Sequence, residues 1–366
     1  MRVFFICSFV FMVFGCGNRA DQSETYSVST VNKQSLELNH IYSFPLENSS
    51  DATVLANPYP SVRLSNDGNR IAIKDMLQDH IVLYDSLGNH LATIGKQGKG
   101  PREFVEITSW NFDENKNLLV FDAPQKLVKI FNSNGKLKKS SKVFTEDQLL
   151  GFGISFYAHD SLIYMGILEA QYSNLENAEY SKLIALNNYE GELQKTIGKY
   201  DPYVSQATMY TSQPVFDIDF KRDKIYSTQM NSYRVQVYDL KDHNRMAYFG
   251  YKSDHFIESE EKISPFHQKS KRREMGLNQS YTNGIYITSR YILIYFRNLT
   301  EDWYQSRSPQ DKKHFISVYD RYNYNFIGEI SLPYSLQAVH KDRLYLVENN
   351  NPDNYTIGIY KIQTAH

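Results

Sequence analysis

Apolar and polar residues alternate along short stretches of this chain, and one such phrase returns from end to end. In Ile81-Val82-Leu83-Tyr84-Asp85-Ser86-Leu87-Gly88-Asn89-His90-Leu91-Ala92-Thr93-Ile94-Gly95 a short apolar run meets a tight polar turn, a second run follows, and a glycine ends it. Period two puts successive side chains on opposite faces of a strand, so the phrase reads as strand, turn, strand. Related phrases are Val128-Lys129-Ile130-Phe131-Asn132 with Gly135, Leu183-Ile184-Ala185-Leu186-Asn187 with Gly191 and Gly198, Val235-Gln236-Val237-Tyr238-Asp239 with Gly250, and Ile316-Ser317-Val318-Tyr319-Asp320 with Gly328. A truncated copy is Ile357-Gly358-Ile359-Tyr360-Lys361. With the Tyr84-type position as a mark, the copies fall at 84, 131, 186, 238, 319 and 360, spaced by 47, 55, 52, 81 and 41 residues. A supersecondary unit repeated at such intervals is the signature of a propeller or solenoid.

Two further strands joined by a short polar turn precede each mark. In the first copy they are Val62-Arg63-Leu64 and Arg70-Ile71-Ala72-Ile73 around Asn66-Asp67-Gly68-Asn69; in the third they are Ile154-Ser155-Phe156 and Leu162-Ile163-Tyr164. With the strand after the turn, each copy has four strands, which is one propeller blade. The sixth copy stops at Tyr360-Lys361-Ile362, before its outer strand. The segment Leu36 to Leu46, containing Leu38-Asn39-His40-Ile41-Tyr42-Ser43-Phe44, is the expected donor. The fold class expected is therefore all-β, a six-bladed β-propeller of four-stranded antiparallel blades, with the N-terminal strand completing the last blade and removing its open edge.

The run Ile94-Gly95-Lys96-Gln97-Gly98-Lys99-Gly100-Pro101-Arg102-Glu103-Phe104, continuing through Asn111-Phe112-Asp113, Leu119-Val120-Phe121-Asp122 and Val128-Lys129-Ile130-Phe131, resembles an NHL-type repeat. Over residues 30–365 the chain resembles the lipoproteins with a six-bladed, TolB-like or NHL-like propeller found in Bacteroides and relatives. The resemblance implies fold and export. That family has no single chemistry to carry over.

Met1-Arg2 is followed by an apolar run from Val3 to Phe14, too short to span a bilayer as a helix and of the length of an export signal. It ends in Val13-Phe14-Gly15-Cys16, which resembles a bacterial lipobox and implies cleavage before Cys16 and lipid on that residue. The polar stretch after Cys16 lacks apolar periodicity, as a flexible tether would. The expected organisation is a signal peptide at 1–15, a tether at 16–33 and a propeller at 34–366. The expected address is the cell envelope, at the outer membrane through the N-terminal lipid. Cys7 and Cys16 are the 2 cysteines of the chain, so the folded body has no thiol for a disulfide, for catalysis or for a metal.

Lys plus Arg is 40 and Asp plus Glu is 41, a balance that gives no general attraction to nucleic acid. The 29 Tyr and 21 Phe suit pleated, half-buried strands.

Loop lengths divide the molecule into two faces. Because strands zigzag outward through a blade, links between strands two and three share a face with the links between blades. Turns between strands one and two, and three and four, share the other face. The second kind are all short, among them Asn66 to Asn69, Ser86 to Asn89 and Tyr189 to Glu192. The long ones, Glu169 to Ser181, Lys199 to Pro214, Tyr251 to Asn283 and Asn298 to Lys313, all belong to the first face, where binding is expected. The insertion Glu258 to Met275 is expected to be partly helical, with Glu258, Glu260 and Glu261 leading, Lys269, Lys271, Arg272 and Arg273 trailing, and Gly276 as the stop.

No nucleophile elbow, His-Glu-x-x-His pair, phosphate loop or calcium loop occurs in the body. No catalytic residue, cofactor or metal is expected, and the glycines at 95, 98 and 100 are read as turn residues. His159 and His340 are placed near the short-turn face as structural or surface residues. Asp217, Asp219, Glu103 and Glu106 are available carboxylates. Arg102, Glu103, Trp110, Tyr172, Tyr281, Trp303 and Tyr304 are the candidate ligand-binding residues. Trp110, Trp303, Tyr304, Tyr172 and Tyr281 lie in or beside long-face segments and could stack on a sugar or clamp a peptide. Two functions compete: a monomeric, non-enzymatic binding or scaffold module for a protein, peptide or glycan, and a lyase or hydrolase centred on the channel mouth. Three or more converging His, Asp or Glu side chains would favour the enzyme; aromatic and amide side chains would favour the binder.

Overall fold

The computed structural model describes residues 26–47, 62–75, 79–143, 148–150, 155–169, 183–201, 213–259 and 268–365. Cys16, Tyr172 and the long links 170–182 and 202–212 lie outside the described residues. Four antiparallel strands make each blade. The first blade is Val62–Leu64, Arg70–Asp75, His80–Asp85 and His90–Ile94; the second is Ile107–Phe112, Leu118–Asp122, Leu127–Phe131 and Leu137–Lys142. The third is Phe156–His159, Leu162–Glu169, Ile184–Asn188 and Leu193–Ile197; the fourth is Pro214–Asp219, Lys224–Gln229, Val235–Asp239 and Arg245–Gly250. The fifth is Ser280–Ile287, Tyr291–Asn298, Lys313–Asp320 and Phe326–Leu332; the sixth starts with Ser335–His340, Arg343–Asn349 and Thr356–Thr364. Leu36–Pro45 pairs antiparallel with Thr356–Thr364 and completes it, as the sequence predicts. The innermost strands of neighbouring blades lie side by side around the ring, except between the third and fourth blades, where Pro214–Asp219 lies against the second strand of the third blade, Leu162–Glu169.

Apolar packing is divided among the gaps between neighbouring blades. Val82 and Tyr84 pack toward the sixth blade with Ile357 and Ile359. Ile81 and Leu83, on the opposite side of the same strand, pack toward the second blade with Val120 and Phe131. A strand in the middle of a blade is thus covered on both faces, which is why Ile81-Val82-Leu83-Tyr84 is a continuous apolar run.

A β-bulge recurs at one place in every blade. The outer strand skips a residue opposite the mark at Leu83/Tyr84, Leu186/Asn187, Val237/Tyr238 and Val318/Tyr319, and the same skip appears at Leu137/Lys139 and His40/Tyr42. The N-terminal strand therefore reproduces the geometry of an outer strand from within a blade. The bulge also corrects a register: the third mark is Asn187, one residue beyond the Leu186 read from the sequence. The residue after each mark caps the turn. Asp85 accepts from the N–H groups of Leu87 and Asn89, Asn132 from Asn134 and Lys136, Asn188 from Glu190 and Glu192, and Asp320 from Tyr322 and Asn323. Such Asx turns are the physical content of the repeated Tyr-Asp phrase.

Two other expectations change. Residues 26–33, assigned to the tether, lie against the rim: Ser27–Val28 pairs in parallel with the outer strand of the fourth blade, and Asn32 and Gln34 donate to Phe326 and Ile327 of the fifth. Unpaired outer-strand groups are what hold them there. The helix in the long insertion is Lys269–Leu277 (α1), with no acid in its first turn and no base in its last. Glu258 lies before it and pairs with Arg234 at 2.8 Å, so among the described residues the expected charge pairing with the helix dipole is not seen. Gly276 lies inside the last turn, where a β-carbon would run into the Tyr304 hydroxyl; a close approach, not a stop, requires it. A second helix, Glu301–Ser306 (α2), is capped by Thr300, whose hydroxyl accepts from the Trp303 N–H at 3.1 Å.

Candidate functional site: the central channel

Each innermost strand carries one residue paired, through strand two, with the residue just before the mark. These six are Arg63, Asn111, Tyr157, Asp217, Tyr286 and Ala338. All six line one cavity of about 560 Å³ along the propeller axis. Their neighbours Val62, Phe112, Phe156, Phe216, Ile218 and Ile285 are buried between the blades. One alternation therefore builds both the core and the channel wall.

Hydrogen bonds join the ring from blade to blade. The Asn111 amide donates to the Phe156 carbonyl at 2.7 Å, and the Tyr157 phenol donates to the Asp217 carboxyl. Asp217 also accepts from the N–H of Ile218 at 2.8 Å and of Ile287, on the fifth blade, at 3.0 Å. Burial raises Asp217 to about 6, with Asp219 adding to the rise and the three hydrogen bonds opposing it. Burial likewise pushes Tyr157 well above the usual phenol range and Tyr286 up to about 12, with the Arg63 charge pulling both back. Arg63 lies 5.8 Å from the Trp110 ring centroid and donates to the Val62 carbonyl.

The mouth opens on the short-turn face, contrary to the expectation from loop length. The remaining lining includes Asn66, His159, Lys221, Ser289, Lys341 and Arg321, all at turns between strands one and two or three and four. Toward the long-loop face, Ser109, Val215, Thr282 and Leu336 are buried. Loop length records where insertions are tolerated; cavity depth depends on side chains along the inner strands. His340 lies 3.1 Å from the Asn66 carbonyl and bridges the sixth and first blades. His159 packs its ring 4.0 Å from that of Phe220. Asp219 at the mouth is held by Arg321, whose guanidinium also donates to the Thr288 carbonyl at 2.7 Å. Among the described residues no group of three or more His, Cys, Asp or Glu is placed to hold a metal.

The sequence-predicted residues fall in three places. Trp110 is buried between the first two blades behind Arg63, which it supports from outside the cavity. Arg102 is exposed on the link between those blades, and Glu103 is turned back on the Gly100 N–H at 2.9 Å and the Lys96 ammonium at 3.3 Å. That link is a plug: Phe104 is fully buried, with Lys129 over its ring. Tyr281, Trp303 and Tyr304 come together beside α1, where the first and last approach Gly276. Of the four carboxylates, Asp217 and Asp219 line the cavity and Glu103 and Glu106 do not. From sequence, Arg63 is placed only in a strand, the third blade's inner strand ends at Phe156, before Tyr157, and Tyr286 is not singled out. Their signal was a polar or phenolic side chain at equivalent positions of successive inner strands, legible once the copies are aligned on the bulge.

Six four-stranded blades closed around a polar channel define a six-bladed β-propeller. The chain belongs to the family DUF5128, described as a 6-bladed beta-propeller, whose model matches residues 23–358. Among solved structures, a member of the duf4221 family from Bacteroides vulgatus aligns over 91% of this chain and 100% of its own, at 15% identity and a TM-score of 0.71. A Bacteroides fragilis protein classed provisionally as exported aligns over 93% of this chain and 99% of its own, at 11% identity and a TM-score of 0.54. Both are similar to this chain in fold. No curated protein matches it.

Proposed function

We propose that this propeller is a non-enzymatic binding module of the cell envelope, anchored by lipid on Cys16, that takes a small polar ligand, a glycan, into its central channel. The observation that carries the reading is the ring of one guanidinium, one amide, two phenols and one acid around about 560 Å³. Ligand sites commonly measure roughly 300–1,000 Å³ and combine aromatic walls with a few convergent polar groups. Tyr286 and Tyr157 offer faces for a sugar ring, and Arg63, Asn111 and Asp217 offer donors and acceptors for its hydroxyls. The module works as a monomer without affinity for nucleic acid, and its long-loop face is a second surface for a partner. The Gly95 to Phe104 phrase supports a TolB-like or NHL-like subtype.

Calorimetric titration with a panel of neutral oligosaccharides tests the channel: a ligand whose affinity falls at least tenfold in Tyr286→Ala supports it, and a panel without any binder refutes it. The address is tested separately by Cys16→Ser, which should release a folded protein from the membrane fraction; continued retention refutes the anchor. A lyase or hydrolase is the second reading, favoured by the raised Asp217 carboxyl as a general acid. Its weakness is that Asp219 is committed to Arg321, leaving no second free carboxylate in the ring. Turnover of a bound oligosaccharide, lost in Asp217→Ala, would establish it.

A further inference from the structure

A second cavity, of about 570 Å³, lies between α1 and α2 on the long-loop face, away from the channel. Lys269, Ser270, Arg272, Arg273, Tyr304 and Arg307 line it. Four cations thus surround one space in a protein whose formal net charge is −1. Arg273 pairs with Glu301; Lys269, Arg272 and Arg307 have no carboxylate partner among the described residues. Arg307 instead stacks on aromatic rings, 4.6 Å from the centroid of Trp303 and 5.1 Å from that of Tyr304.

A further lysine stands behind this wall. Lys312 is 6% exposed, lies 4.9 Å from the Trp303 centroid, and has no carboxylate partner among the described residues. Burial first, and then the charges of Arg297 and Arg307 beside it, push its ammonium down to about 6. Like charges gathered without acids repel one another, and an anion between them relieves that repulsion while guanidinium forks bind its oxygens in pairs. Tyr304 supplies an aromatic wall for the group that carries the anion.

We propose that the pocket between α1 and α2 binds a phosphate or sulfate monoester, with Lys269, Arg272, Arg273 and Arg307 as its oxyanion donors. The site is independent of the channel reading: it is on the other face and shares no residue with the ring.

The test is titration of the full chain with glucose 6-phosphate, glucose 6-sulfate and glucose at two salt concentrations, alongside flotation with phosphatidylcholine vesicles with and without phosphatidic acid. The esters should bind at least tenfold more tightly than glucose, with affinity falling as salt rises. The double variant Arg272→Gln, Arg307→Gln should lose at least tenfold, and Lys241→Gln, remote from the pocket, should lose nothing. Binding of the sugar esters alone assigns a soluble ligand; added flotation on phosphatidic acid, lost in the double variant, assigns a lipid headgroup. If neither ester exceeds glucose and no flotation occurs, or if the double variant binds unchanged with its melting temperature intact, the proposal is overturned. Should the double variant unfold, Tyr304→Leu replaces it, and unchanged ester affinity there overturns the proposal equally.

Discussion

Tyr157 on the third blade donates its phenol proton to Asp217 on the fourth, so one hydrogen bond both ties two blades and bears on the ionisation of the channel's acid. That bond favours the ionised carboxyl, against the burial that raises it to about 6. In Tyr157→Phe the Asp217 titration should therefore move above 6, read from its side-chain carbon resonance. The linkage follows with a definite sign. An unfolded aspartate titrates near 3.9, so the folded state holds the extra proton between there and 6; stability from this group is complete below about pH 4 and is lost as pH rises through about 6. In the variant the window extends upward. A titration that stays put or moves down would show that the phenol does not act on the carboxyl.

Lys312 has the opposite linkage. Its folded-state value of about 6 lies below the roughly 10.4 of an unfolded lysine, so between those limits the unfolded chain binds the extra proton. Stability should rise with pH across that range, by at most about 1.4 kcal/mol per pH unit from this group. Lys312→Met removes the contribution. Urea midpoints for both proteins from pH 6.5 to 9.5 should converge as pH increases, with the variant ahead at the acid end; a constant difference contradicts the assignment.

The end of the closing strand also makes a tight contact with Gly88, in the outer turn of the first blade. Its φ is +89°, its carbonyl accepts from the Glu47 N–H at 2.8 Å, and a β-carbon would strike the Pro45 carbonyl at the end of the closing strand. Gly135, the equivalent residue of the second blade, also has positive φ (+74°) but its β-carbon would meet only Ile94 at 3.3 Å. Gly135→Ala should cost about 1 kcal/mol for the left-handed backbone alone. Gly88→Ala should cost about 2 kcal/mol or more, because the closing strand must also move. Equal losses in chemical denaturation would mean that the Pro45 contact contributes nothing to closure.

Blade count and closure were legible because each blade repeats one local solution: a mark residue, an Asp or Asn that caps the next turn, and strands covered on both faces. Asp85, Asn132, Asn188, Asp239 and Asp320 announce five of the six turns. The channel was not legible for two physical reasons. Arg63, Tyr157 and Tyr286 sit in short strands between apolar neighbours, and nothing in a single strand says which side chain faces the axis. Their common level is defined by pairing through strand two to the bulge, which is a tertiary feature. Loop length then pointed to the long-loop face, where Tyr281, Trp303 and Tyr304 do assemble, though only Tyr304 lines a cavity there, and a different one. Arg307 and Lys312 joined that group through α2, a turn of helix whose Thr300 cap the loop reading passed over.

The corrected third mark carries a stability prediction of its own. At this position the other blades place Tyr84, Phe131, Tyr238, Tyr319 and Tyr360, all buried. The third blade has Asn187, fully buried, and neither its amide nitrogen nor its amide oxygen has a hydrogen-bond partner among the described residues. Mutational data put the cost of burying an uncompensated polar group at about 1–3 kcal/mol. Leucine keeps asparagine's branched skeleton without the polar atoms but is bulkier, so relief of the buried amide outweighs mild overpacking and Asn187→Leu should stabilise the fold by about 1 kcal/mol and raise the melting temperature by a few degrees. Asn187→Ala should destabilise, since it relieves the polar atoms but opens a cavity between the third blade and its neighbour. A loss in both variants would show that the amide is satisfied, for instance by a buried water, and that the third blade depends on it.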